Sequence, residues 1–176
     1  SGLFGVAVAL RLVVGVASPK AVSFIIRRRA TLREKKDMII LALAVTILGG
    51  YLLGSIPFGY LFAKAKGVNI FEVGSGNIGA TNVGRVLGKR IGFLVFLLDF
   101  LKGAAPTLIA SFLWRSQQKE MIPHLLPVLA GVSAFLGHLF PIYLRFRGGK
   151  GVATAAGIVA ILLPIPTFVA LLCWLV

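Results

Sequence analysis

The chain has 176 residues, of which 58% are hydrophobic and only 14% charged, with a mean hydropathy of +0.96, too few charges to solvate a soluble domain of this size. Lipid must therefore be the solvent over most of the surface, and spans of roughly 20 apolar residues as helix are expected, because lipid leaves no partner for an unpaired backbone amide. The 19 Lys and Arg against 5 Asp and Glu give a net charge of +14; this reads as membrane topology, with attraction to anionic partners, and not as nucleic-acid binding, since the basic residues interrupt apolar spans and the aromatics lie inside them.

In chain order, Gly2 to Ala17 is apolar but broken by Arg11, and Ala21 to Ile26 is followed by Arg27, Arg28, Arg29, Arg33, Lys35 and Lys36. The charges come after the apolar part, which is the wrong order for a signal peptide. Residues 1–37 are accordingly expected to be a basic N-terminal extension, and 38–176 the membrane-embedded domain. Four spans are expected in that domain: Met38 to Phe62, Ile91 to Trp114, Leu125 to Leu144 and Val152 to Val176. The fold class that follows is all-α, a polytopic transmembrane helical bundle.

Small residues recur inside these spans. Gly50-x-x-x-Gly54 and Ser55-x-x-x-Gly59 put small residues on one helix face, where a neighbouring backbone can approach closely, and Gly131, Ser133, Gly137 and Gly157 continue the theme. Pro57 should kink or open the first span near its loop end. Cys173 is the one cysteine and lies in an apolar run, so neither a disulfide framework nor a cysteine-built metal cluster is expected. No metal or cofactor is predicted.

The connections Ala63 to Arg90, Arg115 to His124 and Arg145 to Gly151 hold five, two and three Lys or Arg. Alternating spans put the first and third on one side, and the positive-inside rule makes that side cytoplasmic, with Met38 outside.

The first connection contains Val73-Gly74-Ser75-Gly76-Asn77-Ile78-Gly79-Ala80-Thr81-Asn82-Val83-Gly84-Arg85. Its glycines let N–H groups approach an anion, its hydroxyls, amides and guanidinium add donors, and a helix starting near Asn77 to Thr81 would add its N-terminal dipole. The third connection, Arg145-Phe146-Arg147-Gly148-Gly149-Lys150-Gly151, looks like a phosphate cradle but lacks the Ser or Thr that follows the lysine of a nucleotide-binding loop, so nucleotide hydrolysis is unsupported. Asp99 and Lys102 lie three apart in the second span, where an unpaired charge is expensive, and are expected to pair with each other or with loop residues, a direct role at the site being the alternative. Glu72 is expected to face water. His138 belongs to the candidate catalytic set, a hydrogen-bonded structural role being the alternative for a lone histidine; His124, in the opposite connection, is not expected at the site.

Five ordered segments carry a resemblance: Gly54-Ser55-Ile56-Pro57-Phe58-Gly59, the Gly74 to Arg85 loop, Asp99-Phe100-Leu101-Lys102-Gly103, Gly137-His138-Leu139-Phe140-Pro141, and Gly148-Gly149-Lys150-Gly151-Val152-Ala153-Thr154. From about Met38 to Val176 the chain resembles the PlsY family of bacterial membrane acyltransferases. The resemblance implies acyl transfer from acyl phosphate to glycerol 3-phosphate, giving 1-acyl-glycerol 3-phosphate and phosphate for phospholipid synthesis, in the cytoplasmic (inner) membrane, with membrane lipid as the surroundings. It implies that the two Gly-rich loops bind the substrate phosphates from the cytoplasmic side. Ser75, Arg85 and Lys150 match positions the family uses for binding and activity, and with His138 they form the expected catalytic set. Gly74, Gly76, Asn77, Gly79, Thr81, Asn82, Gly148, Gly149 and Gly151 form the expected phosphate-binding set. The family pattern continues to a further motif with a His and an Asn, so the chain to Val176 is expected to hold part of the site. A small anion transporter is the rival reading; it calls for inverted repeats with broken helices at the midplane.

Overall fold

A computed structural model describes residues 19–114 and 121–175. Among them the chain is all-α, with no strand. The helices are α1 (Pro19–Gly54), α2 (Phe58–Ala65), α3 (Ala80–Leu87), α4 (Lys89–Trp114), α5 (Met121–Leu139), α6 (Val152–Leu162) and α7 (Pro164–Leu175), with a 3-10 turn at Ile142–Leu144. Three stretches are long and apolar enough to cross a membrane: Ser23–Ala65, Lys89–Leu113 and Leu125–Leu144. Their outward faces are apolar, with Phe93, Phe112, Leu113 and Leu136 exposed, as lipid contact requires.

The chain divides into two compact units, the first ending at Ala42 and the second running Leu43–Val176. Within the first unit the described residues from Ser23 to Met38 are exposed, and Thr31 Oγ1 donates to Arg27 O at 3.0 Å. Residues 1–18 of the expected extension lie outside the described residues, as do 115–120 of the middle connection.

Proline sets the punctuation of the second unit. The first expected span, Met38 to Phe62, is not one helix. Ser55 N still donates to Tyr51 O at 2.9 Å, but Pro57 brings no N–H and forces the preceding residue out of helical geometry, so α1 stops at Gly54 and α2 restarts at Phe58. Ser55 and Gly59 consequently do not share a helix face. The fourth expected span, Val152 to Val176, divides for the same reason: Leu163 (φ −135°, ψ 64°) precedes Pro164 and separates α6 from α7, each too short to cross alone. Pro141 likewise ends the third, whose α-helix stops at Leu139.

Helix α4 is the centre of the bundle and packs on α3, α5 and α6. The small residues are where backbones meet. A Cβ on Gly50 would stand 2.7 Å from Ala130 O, and one on Gly54 would collide with Ala134. Gly137 faces Tyr51 O and Ser55 N from the other side of the same seam, while Gly103 faces Thr154 and Gly157 faces Phe100 O. In lipid there is little hydrophobic gain from bringing two helices together, so this close backbone approach and its dispersion contacts supply the attraction. A small core of Ala63, Ile70, Ile78, Val83 and Val95 closes the space beneath the first Gly-rich loop.

Candidate active site

The first Gly-rich loop is built around one side chain. Asn82 is 2% exposed. Its Oδ1 accepts from Ser75 N at 2.8 Å, and its Nδ2 donates to Val73 O at 3.2 Å and to Asn77 O at 2.9 Å. One amide thus ties down three points of the loop. Gly74 (φ 61°) and Gly76 (φ 65°) supply left-handed geometry, and any Cβ on Gly74 would collide with Asn82 Oδ1. Asn77 Oδ1 accepts from Gly79 N at 2.8 Å, which turns the chain into α3; Gly79 is its N-cap. A helix therefore begins within the expected window.

The expected inward-pointing N–H groups are in part engaged already. Ser75 N, Gly76 N and Gly79 N bond to Asn82, Val73 and Asn77. What the loop presents outward is the exposed Ser75, Thr81 and Arg85, the last in the final turn of α3.

The second loop is seated on α5. Gly149 N donates to His138 O at 3.1 Å, Gly148 lies against the His138 and Leu139 carbonyls, and a Cβ on Gly149 would collide with His138 Nε2. Gly151 (φ 77°) then caps α6. His138 is 3% exposed; its Nδ1 lies 3.1 Å from Thr154 Oγ1, and its Nε2 has no hydrogen-bond partner among the described residues. Beneath it Asp99 and Lys102 form the expected pair, Oδ1 to Nζ 2.9 Å, and Lys102 also donates to Ile56 O at 2.8 Å in the break between α1 and α2. His138 Nδ1 is 3.8 Å from Asp99 Oδ1. Glu72 is exposed, as anticipated.

The two loops meet across a cleft of about 300 Å³. Ser75, Asn77, Gly79, Thr81, Asn82 and Arg85 form one wall, and Lys150 and Gly151 the other, with His138 and Asp99 also lining it. Gly74, Gly76, Gly148 and Gly149 do not line it and act from behind, as the points where the backbone bends or touches its support. Ala80, Phe96, Val152 and Ala153 also line the cleft, and like Asp99 they lie outside the expected catalytic and phosphate-binding sets. Val152 and Ala153 stand in the last of the five segments that carry the resemblance, next to Gly151, whereas Phe96 is one of many apolar residues in a span. The side chain of His124 lies outside the described residues.

The bundle and its cleft define an integral membrane protein, multi-pass, with cationic and hydroxyl donors gathered at one recess. A family model described as glycerol-3-phosphate acyltransferase matches residues 44–176. The chain belongs to this family. A glycerol-3-phosphate acyltransferase of Geotalea daltonii is 50% identical over 127 residues, covering 72% of this chain and 62% of that protein. One from Aquifex aeolicus is 48% identical over 129 residues, covering 73% and 64%. Among solved structures, the glycerol 3-phosphate form of PlsY (YgiH), an integral membrane glycerol 3-phosphate acyltransferase, superposes with a TM-score of 0.67 at 47% identity, covering 76% of this chain and 64% of that one. Its lysophosphatidic acid form gives 0.64 at 46% identity. The chain spans less than two thirds of the length of these relatives.

Proposed function

We propose that this chain carries the phosphate-gripping part of an acyltransferase that moves an acyl group from acyl phosphate to glycerol 3-phosphate. The observation that supports it most is the convergence of Ser75 and Arg85 with Lys150 on one cleft, from loops 65 residues apart in sequence (150 − 85). The glycerol 3-phosphate form of the similar PlsY structure agrees with an acceptor of that chemistry.

An acyl phosphate is already an activated mixed anhydride, so no covalent enzyme intermediate is needed. The acceptor hydroxyl attacks the acyl carbonyl, the new ester C–O bond forms, the bond to the phosphate oxygen breaks, and inorganic phosphate leaves with the bonding pair. The proton of the attacking hydroxyl passes to a phosphate oxygen. The task left to the protein is to hold two dianionic head groups side by side and to offset their repulsion. Arg85 and Lys150 are assigned to the phosphates, Ser75 to a hydrogen bond at the reacting groups, and Asn77, Thr81, Asn82, Gly79 and Gly151 to shaping the walls. His138 is assigned to holding the Gly148 to Gly151 loop, on which Lys150 depends. Phe96 (41% exposed) and Val152 (72% exposed) open the cleft towards the apolar outer surface, where an acyl chain would lie.

On this reading residues 38–176 are the membrane-embedded acyltransferase region, the Gly-rich loops face the cytoplasm, and the membrane is the bacterial inner membrane. The test is to supply purified protein in detergent with acyl phosphate and glycerol 3-phosphate and follow phosphate release. Release that requires both substrates supports acyl transfer; release indifferent to the acceptor sinks it.

A further inference from the structure

A second recess lies apart from the motif cleft and shares no lining residue with it. It has a volume of about 780 Å³ and is lined by Lys64, Arg145 and Arg147, with Tyr60, Phe71 and Tyr143 as its aromatic wall. No carboxylate lines it, and among the described residues none pairs with these three cations. Lys64 lies 5.9 Å from the centre of the Tyr60 ring, which in turn packs on Phe71 at 5.9 Å. Three unpaired cations around one hollow repel each other, and the arrangement is compensated when an anion occupies it.

The position of the recess identifies the anion. Lys64 is in the last turn of α2, at the end of the apolar stretch Ser23–Ala65, and Arg145 follows directly on the stretch Leu125–Leu144. Both stretches end here, so the recess opens where hydrocarbon gives way to head groups. Tyr143, 56% exposed, lines the recess with Arg145 and Arg147, and Phe146, 60% exposed, stands between the two arginines in the chain, the mixture of aromatic anchors and cations suited to a membrane boundary. The segment that carries the two arginines is strained: Arg145 (φ 51°) and Phe146 (φ 65°) are both left-handed without being glycine, held by Phe146 N donating to Pro141 O at 3.0 Å and Arg147 N to Leu144 O at 3.1 Å. Such strain costs on the order of 1–3 kcal/mol per residue and is found where a chain must present side chains to a ligand.

We propose that this recess binds the phosphate-bearing head group of an anionic membrane lipid, held by Lys64, Arg145 and Arg147, while the lipid's tails lie on the exposed apolar residues beside it. The chemistry recognised is a phosphate anion, and the source assigned is a lipid, because the cations stand at the ends of two spans.

The test uses delipidated protein in detergent, with short-chain phosphatidylglycerol or phosphatidylcholine added and bound lipid counted by native mass spectrometry. Phosphatidylglycerol should be retained over phosphatidylcholine, Lys64→Gln and Arg147→Gln should each lower its retention about fivefold, and Arg147→Lys should restore most of it. Arg85→Ala, in the motif cleft, should leave retention unchanged, which separates this site from the proposed active site. Equal retention of the two lipids, indifference to the recess variants, or loss with Arg85→Ala each overturns the assignment. Inorganic phosphate binding that responds to Arg147→Gln, without any preference between the lipids, would keep the phosphate chemistry and overturn the lipid source.

Discussion

Lys102 Nζ lies 2.9 Å from Asp99 Oδ1 with the side chains 4% and 3% exposed, and the same ammonium reaches the Ile56 carbonyl at 2.8 Å. This one cation both neutralises a buried carboxylate and shares with Phe58 N, at 3.2 Å, the Ile56 carbonyl in the break at Pro57. It joins the centre of α4 to the break between α1 and α2, directly below His138. Lys102→Met should lower stability by about 3–5 kcal/mol, since it leaves a buried carboxylate uncompensated. Asp99→Asn with Lys102→Met should recover part of that loss. Thermal unfolding in detergent reads both, and equal stability of the single and double variants would contradict the coupling.

Asn82→Ala removes three hydrogen bonds at once and should cost roughly 1–3 kcal/mol. The Ser75 to Gly79 backbone should then exchange its amide hydrogens faster, and turnover should fall by more than the stability loss explains. Asn82→Asp keeps the bond from Ser75 N but loses both donations, so it should be intermediate in exchange. Unchanged exchange at Ser75 in Asn82→Ala would refute the scaffold role.

Gly149→Ala should weaken acceptor binding through Lys150, because the added methyl collides with His138 Nε2 and lifts the loop off α5. If the collision is the cause, Gly149→Ala combined with His138→Ala should be more stable than Gly149→Ala alone. A double variant worse than either single change would place the damage elsewhere.

Arg85→Ala and Lys150→Ala should each lower kcat/KM for the acceptor by about 10- to 100-fold, the value of a charge-assisted phosphate contact of about 1.5–3 kcal/mol. The loss should fall on KM where the contact is equal in ground and transition states. Wild-type rates in both variants would remove the site assignment.

Two glycines of α1 give a contrast within one helix. A methyl on Gly49 would meet nothing within 4 Å, whereas one on Gly54 would strike the Ala134 backbone. Gly49→Ala should therefore be neutral or slightly stabilising through helix propensity, and Gly54→Ala should destabilise by about 1–3 kcal/mol from overpacking. Thermal unfolding of the two variants checks the ordering.

The sequence by itself determined the solvent and pointed to the handling of an anion. A chain with 58% hydrophobic residues must place helices in lipid, and the donors of the Gly74 to Arg85 and Gly148 to Gly151 loops are legible because their residue types are rare in apolar surroundings. The prolines were legible as punctuation only in part: Pro57 reads as a break, while Pro164 divides a segment whose unbroken apolarity suggests a single span. Tertiary structure decided the rest. Asn82 and Thr81 are neighbours with equal claim as donors, yet Asn82 is buried with its amide bonded to the loop backbone and Thr81 is exposed. Whether a polar group serves the fold or the ligand depends on which partners the folded chain brings to it, and that is a property of distances in space that spacing along a chain does not contain. The meeting of Ser75 and Arg85 with Lys150, and the seat that His138 provides for Gly149, arise in the same way, from helices that pack only because glycines let their backbones touch.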